Sequence, residues 1–149
     1  NLSSGISFGN ISSLPALFAN ATHNYDGTNN TPQTSPNGTA GTSMWMNVSG
    51  DSNTAVDFCI NANASLKNAG GDAILLPNET YYNSTSTNYS LPSIIGDTAL
   101  TTSYVKAGPN IAVGGALYYR FWLNVTAGTP SGNYVNQISF EGVAAGGGC

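Results

Sequence analysis

The sequence predicts an all-β protein, an antiparallel β-sandwich of the immunoglobulin-like or jelly-roll type. Two observations support this fold class. Many short stretches alternate apolar and polar residues and are separated by turns rich in Gly and Pro, and no stretch of any length shows helical periodicity. The length of 149 residues is that of one domain with a proper core.

The first two thirds of the chain carry the weaker strand signals. Residues 1–11 are predicted to be extended, residues 12–22 to be one helical turn or a strand, and residues 23–43 to be a polar loop. Residues 78–90 contain three glycosylation sequons spaced five positions apart and are interpreted as an exposed edge. The strands predicted in this part lie at 44–49, 55–62, 73–76 and 101–106.

The carboxy-terminal part carries the clearest strand signal. In residues 117–126 one face would carry only apolar and aromatic side chains, and residues 134–141 alternate again, with Ile138 and Phe140 on the inner face. The Gly/Pro/Ser-rich stretch 127–132 between them is a turn signal. The sequence therefore predicts a β-hairpin made of these two strands.

The surface is predicted to be polar but almost uncharged. Only 7% of residues are charged, against about 25% in typical soluble domains. Three basic residues cannot neutralise a nucleic-acid backbone, which excludes nucleic acid as a partner. No apolar run approaches the ~20 residues of a membrane span, and we expect that an export signal has been removed before Asn1. A surface with so few carboxylates changes little as the pH falls, which suits an acidic exterior.

Glycosylation sequons of the form Asn-X-Ser/Thr are dense, and their number favours a heavily glycosylated extracellular protein over chance occurrence. The eleven candidate sites are Asn1, Asn10, Asn20, Asn29, Asn37, Asn47, Asn63, Asn78, Asn83, Asn88 and Asn124. The last of these lies within the most hydrophobic predicted strand. We expect covalent N-glycans and no cofactor.

Two cysteines in an exported chain favour a disulfide bond. A bridge between Cys59 and Cys149 would tie the last residue to a predicted strand 90 positions earlier. In the chain-entropy model a loop of that length contributes on the order of 4–5 kcal/mol. Because Cys149 follows the stretch "AAGGG", pairing between two subunits stays open, as do two free thiols.

Candidate catalytic and metal-binding groups are few, so neither an enzyme activity nor a metal site is expected. His23 is the only histidine, and it lies in a polar loop. Glu79 and Glu141 are interpreted as surface carboxylates on different strands rather than a glycosidase pair. Asp51 and Asp72 lie in turns that resemble calcium loops but lack the carboxylate density of a calcium site.

Each tryptophan precedes a sequon by two residues, Trp45 before Asn47 and Trp122 before Asn124. On a strand each pair would share one face. Either the tryptophans are core residues beside unused sequons, or they cover the sheet beneath a sugar or a neighbouring subunit. An exposed tryptophan would also suit a carbohydrate-binding protein.

Residues 1–9 alternate large apolar side chains with Ser and Gly. Such a strand can be the first strand of its own domain, or it can be donated to the sheet of the next subunit. We expect residues 1–14 to form a donor strand with its linker and residues 15–149 to form the sandwich. The predicted donor residues are Leu2, Ile6 and Phe8. The predicted acceptor groove is lined by Phe121, Leu123, Ile138 and Phe140.

The stretch "FWLNVTAGTPSGNYVNQISFEGV" resembles the final hairpin of secreted β-sandwich pilins of the camelysin/TasA-like type. The matching positions are Phe121, Trp122, Leu123, Val125, Gly128, Thr129, Pro130, Gly132, Tyr134, Ile138 and Phe140. The stretch "NASLKNAGGDAILLPNETYYNS" is similar to archaeal members. Together with the sequon density and the low charge, the chain resembles the subunits of the glycosylated thread filaments of thermoacidophilic archaea.

The resemblance implies a structural subunit that joins identical subunits head to tail by donor-strand complementation. Such a subunit forms an extracellular filament on the cell surface that serves adhesion or biofilm formation. The further partners of the filament are other cells or surfaces. The alternative is a monomeric surface-layer or adhesin module that keeps its own first strand and binds carbohydrate or a partner cell. A secreted hydrolase is the third and weakest hypothesis.

Overall fold

The computed structural model describes residues 5–20, 42–86 and 91–149. These residues form an all-β, antiparallel structure in which the helical content is one 3₁₀ turn at Leu76–Asn78. No helix in these ranges has the length and apolar character that a membrane span needs. The strands are β1 (Ala16–Asn20), β2 (Met44–Asn47), β3 (Val56–Ala62), β4 (Leu66–Lys67), β5 (Ala73–Ile74), β6 (Glu79–Ser84), β7 (Thr98–Ala99), β8 (Val105–Ile111), β9 (Ala116–Val125) and β10 (Ile138–Ala144).

The strands form two main sheets and a short β4–β5 pair. The larger sheet has the order β1-β9-β6-β7, and the smaller sheet has the order β10-β3-β8. In the larger sheet β9 is the central strand. It pairs with β6 along one edge, while β1 and β2 follow each other along its other edge.

The two main sheets face each other across a shared core, because the inner face of each is apolar. Every second residue of β9 contributes to this core, and full burial of a large apolar side chain contributes roughly 1.5–3 kcal/mol. The main core includes Met44, Phe58, Ile60, Tyr81, Ile111, Leu117, Tyr119 and Phe121. A smaller cluster contains Leu66, Ile74, Leu123 and Val125.

The predicted hairpin is wrong, although both of its strands exist. β9 pairs with β1, β2 and β6, whereas β10 pairs with β3 along its whole length in the other sheet. The connection between β9 and β10 therefore crosses from one sheet to the other. Alternation showed which side chains face the core, but it carries no information on the partner strand, since both strands have one buried face.

Two further predictions about strands are also wrong. Residues 101–104 are irregular and β8 begins at Val105, so this strand lies further along the chain than predicted. It contains Pro109, which a strand at the edge of a sheet tolerates. The segment predicted to be an exposed edge contains the interior strand β6, in which Glu79 and Tyr81 are buried.

The carboxy-terminal residues fold back over the outer face of β3. A disulfide bond joins Cys59 to Cys149 within one chain, with the Cα atoms 5.7 Å apart. The predicted intrachain pairing is therefore confirmed. Next to it, the amine of Lys106 donates a hydrogen bond to the carbonyl oxygen of Gly147 at 3.2 Å.

Asp57 holds the same region together from the outer face of β3. Its side chain is buried, and it forms an ion pair with the amine of Lys106 at 2.5 Å. It also accepts hydrogen bonds from the backbone N–H groups of Asn110 at 2.6 Å and Gly146 at 3.0 Å. The hydrogen bond from Lys106, followed by that from Asn110, lowers the pKa of Asp57 to about 2.

Candidate functional site

A large groove lies between β2, at the edge of the larger sheet, and β10, at the edge of the smaller sheet. Its volume is about 1420 Å³, roughly ten times that of an engineered ~150 Å³ core cavity that binds benzene. Among the described strands, β10 pairs only with β3 and β2 only with β9. Each therefore keeps one edge without a described partner strand, and such an edge presents N–H and C=O groups that another strand can bind.

Residues 5–12 of the same chain run along this groove without forming a strand. Ile6 and Phe8 are half-buried against the main core, and Phe8 also touches the smaller cluster. Gly5 and Gly9 have φ angles of 75° and 69°, which interrupt an extended backbone. The described part of this segment is therefore irregular in a single chain, and Leu2 lies outside the described residues.

The groove lining includes three of the four residues predicted for it, Leu123, Ile138 and Phe140. Ile138 and Phe140 are only half-buried, so part of their apolar surface can still be covered. Phe121 lies in the main core instead, with no exposed surface, and its ring is 6.2 Å from that of Tyr81.

Glu79 is not a surface carboxylate, because it lines the groove with only 1% of its surface exposed. It lies opposite Leu123 of β9, and one carboxylate oxygen accepts a hydrogen bond of 2.6 Å from the amide nitrogen of Asn136. The same nitrogen donates to the carbonyl oxygen of Ala64 at 3.2 Å. Burial raises the pKa of Glu79 to about 7, and the hydrogen bond from Asn136 opposes this shift. Glu141 is exposed on β10, so the two carboxylates do not form a pair in the groove.

The candidate glycosylation sites differ in exposure. Three are exposed on the described surface: Asn10, Asn47 and Asn63. Three are half-buried: Asn78, Asn83 and Asn124. Asn20 ends β1, and the remaining sites, Asn1, Asn29, Asn37 and Asn88, lie outside the described residues.

Asn83 and Asn63 differ in which side-chain amide atom forms a hydrogen bond. Asn83 shares the inner face of β6 with Tyr81, and its amide nitrogen donates a 2.7 Å hydrogen bond to the carbonyl oxygen of Ala107 in the opposing sheet. N-glycans are attached to this nitrogen, so a glycan there would have to lie between the two sheets. Asn63 uses its oxygen instead, which accepts a hydrogen bond from the backbone of Gln137 at 2.9 Å.

The two tryptophans have different environments despite their identical spacing from a sequon. Trp45 is 39% exposed, and its ring centroid is 6.3 Å from that of Tyr118 on the neighbouring strand. Trp122 is buried, and the guanidinium of Arg120 lies 5.4 Å from the centroid of its ring. Only Trp45 therefore presents an aromatic surface of the kind that binds sugars.

The residues weighed for metal binding and catalysis have other roles or positions. No group of three or more His, Cys, Asp or Glu side chains within 5–20, 42–86 and 91–149 is arranged to hold a metal ion. Asp72 accepts a hydrogen bond from the amide of Asn68 at 2.8 Å within one turn, and the backbone N–H of Asp51 donates to the hydroxyl of Ser49 at 3.2 Å. His23 lies outside the described residues.

Sequence reasoning missed the polar residues that matter most to the groove and the outer face. Asp57 had a usable signal, since it shares one face of a predicted strand with Cys59 while apolar residues occupy the other face. Asn136 had none, because it lies in an irregular segment and reaches Glu79 only through the fold.

No protein-family model, no curated protein and no solved structure matches this chain. The resemblance of residues 121–140 to secreted β-sandwich pilins therefore stays a prediction. What the protein does is inferred from the groove, from the strand edges beside it and from the segment that runs along it.

Proposed function

We propose that the protein is the structural subunit of a heavily N-glycosylated extracellular filament, in which identical subunits join head to tail by donor-strand complementation. The observation that carries this proposal is the groove. Strands β2 and β10 at its two sides lack a described partner strand on one edge, and the amino-terminal segment lines the groove without pairing as a strand. The filament serves adhesion or biofilm formation.

Insertion of an extended segment between β2 and β10 would add strand pairing that is not seen among residues 5–20, 42–86 and 91–149 of the single chain. Each hydrogen bond gained between the segment and a strand edge contributes roughly 0.5–1.5 kcal/mol. Ile6 and Phe8 are half-buried in the single chain, and complete burial of such side chains contributes about 1.5–3 kcal/mol relative to full exposure. Ile138 and Phe140 on the groove wall gain cover at the same time.

The connection to β1 favours exchange between subunits over pairing within one chain. Ala16 begins β1 opposite Val125, the last residue of β9, and residues 13–15 are bends. A straight continuation of β1 toward the amino terminus would run past the last residue of β9, its pairing partner, and would have no further residue of β9 to pair with. The bends return the segment to its own groove, whereas straightening them directs it to the next subunit. Repetition of this heterologous contact produces an open polymer.

Glycosylation is supported by the exposed sequons, and a filament has a large outer surface to coat. We expect a glycan on Asn63 and none on Asn83, because only Asn83 uses its amide nitrogen between the sheets. Glycopeptide mapping of the native protein measures both sites. An intact mass near 15.3 kDa, the mass of the unmodified chain, contradicts heavy glycosylation.

The test of polymerisation compares two charge-introducing variants by negative-stain microscopy and sedimentation. Ile6→Asp combined with Phe8→Asp should leave secreted monomers, because the donor segment would carry charges into an apolar groove. Leu17→Asp is the control, since Leu17 lies beyond the segment, in β1, and is 71% exposed. Filaments from the double variant, or no filaments from the unaltered protein, would contradict the proposal.

The second candidate is a monomeric adhesin or carbohydrate-binding module, and one observation favours it. The exposed Trp45 lies beside the half-buried Tyr118 on the outer face of the larger sheet. This candidate predicts that the protein stays monomeric and binds a glycan array, and that Trp45→Ala abolishes binding while Trp122→Phe does not.

A further inference from the structure

Glu79 occupies the junction of the two apolar clusters inside the groove. Its pairing partner Leu123 belongs to the smaller cluster, and Tyr81, the next inner-face residue of β6, belongs to the main core. Phe8 of the amino-terminal segment packs against both clusters. The only hydrogen bond to the carboxylate among the described residues comes from Asn136.

The protonation of this carboxyl group decides how well the groove accepts an apolar segment. With the amino-terminal segment packed on the groove Glu79 is 1% exposed, so an ionised carboxylate there has one hydrogen-bond donor and almost no water, which is costly. The neutral group carries a far smaller penalty. It can also donate its O–H to a backbone carbonyl of the segment, while its other oxygen still accepts from Asn136.

We propose that Glu79 is a proton-controlled gate on the groove, which admits the donor segment when it is protonated and opposes insertion when it is ionised. This inference rests on the proposed function, since it names the regulation of the same groove. Under this proposal subunits assemble at acidic pH and dissociate at mildly alkaline pH.

The groups around Glu79 leave this role to it alone among the described residues. The described titratable side chains on the inner faces of β6 and β9 and in the groove lining are Tyr81, Tyr119 and Tyr134, while Tyr82 and Tyr118 lie on the outer face. The pKa values of Tyr81, Tyr119 and Tyr134 are raised above the ordinary value of 10.0, mainly by burial, so all three stay neutral near pH 7. Arg120 of β9 lies on the outer face above Trp122.

The charged residues of the neighbouring elements point elsewhere. Lys67 and Glu141 are exposed. Each directly follows a groove-lining residue in its strand, so its side chain lies on the face away from the groove. Residues 5–12 contain no charged side chain. The burial that raises the pKa of Glu79 to about 7 therefore sets the pH at which the gate changes state.

The experiment follows assembly of dissociated full-length subunits between pH 5 and pH 8 by sedimentation and negative-stain microscopy. The pKa near 7 belongs to the groove with a segment packed on it, and each unit by which opening the groove lowers this pKa corresponds to a tenfold difference in affinity, so the apparent affinity for the donor segment should fall about tenfold or more between pH 5 and pH 8. Glu79→Gln should assemble equally well across the range. Glu141→Gln, which removes the same charge from an exposed site, should behave like the unaltered protein.

The Asn136→Ala variant tests whether Glu79 controls insertion through its protonation or only supports the fold. Removing the hydrogen bond that opposes the pKa shift should move the midpoint of assembly to higher pH. Weaker assembly at every pH with an unchanged midpoint would overturn the gate, as would an equal pH dependence in Glu79→Gln and the unaltered protein.

Hydrogen exchange of residues 5–12 keeps the gate testable if no filaments form at any pH, an outcome that would refute the proposed function by itself. In monomers the chain's own segment packs against the wall of the same groove. Its protection factors should then fall about tenfold between pH 5 and pH 8 in the unaltered protein and stay constant in Glu79→Gln. Equal profiles in the two proteins would overturn the gate.

Discussion

Replacing Glu79 with Gln should remove a pH-dependent loss of stability from the folded subunit. Glu79 has 1% of its surface exposed, and its only described hydrogen-bond donor is Asn136. Burial raises its pKa to about 7 from an ordinary value of 4.5. A difference of this size corresponds to about 3 kcal/mol between the fully protonated and the fully ionised protein.

The direction of the effect follows from which state holds the proton more tightly. Below about pH 4.5 the carboxyl group is protonated in both the folded and the unfolded chain, so it carries no penalty. Between about pH 4.5 and pH 7 the unfolded chain releases the proton first, and the free energy of unfolding falls as the pH rises. Above about pH 7 the loss is complete. The Gln variant should keep the stability of the acidic form throughout this range.

The measurement is urea unfolding of dilute monomers, followed by tryptophan fluorescence at intervals from pH 4 to pH 9. The free energy of unfolding of the unaltered protein should decline through the window and that of Glu79→Gln should stay level. Glu141→Gln is the control, because its carboxylate is exposed and the substitution removes the same charge. The reasoning is refuted if Glu79→Gln declines as steeply as the unaltered protein.

Three other substitutions test contacts that hold the sheets and the carboxy terminus. Cys149→Ser opens a loop with a sequence separation of 90 and should lower the free energy of unfolding by about 4–5 kcal/mol in urea titrations, whereas a loss below about 1 kcal/mol would contradict the role of the disulfide. Gly108→Ala should cost about 1–3 kcal/mol in the same assay, because a Cβ there would overlap Leu117 of the opposing sheet, and Gly50→Ala, which meets nothing within 4 Å, should be nearly neutral. Because the folded-state pKa of Asp57 is lowered, it stabilises the protein above about pH 4, and this contribution is lost as the pH falls through about 2. Asp57→Asn should therefore lower the thermal unfolding midpoint at pH 5 and reduce the decrease of that midpoint between pH 5 and pH 2. A decrease as large as in the unaltered protein would refute this role of Asp57.

The sequence by itself determined the fold class and the inward faces of several strands. Alternation in residues 117–125 placed Leu117, Tyr119 and Phe121 in the core, where the structure buries them. The expectation of export, together with the presence of two cysteines, predicted the Cys59–Cys149 pair. These features are local or compositional, so a single chain of letters contains them.

The tertiary structure alone decided which strands pair and which polar groups are buried. β9 and β10 are joined by a turn signal yet belong to different sheets, because alternation specifies a face and leaves the partner strand open. Glu79 and Asn83 look like surface residues in the sequence, but β6 lies inside its sheet and turns both toward the interior. The groove exists only because the fold brings residues of β2 and β10, which are far apart in the sequence, to its two sides. Burial of a polar group depends on what the rest of the chain brings to it, and no local pattern records that.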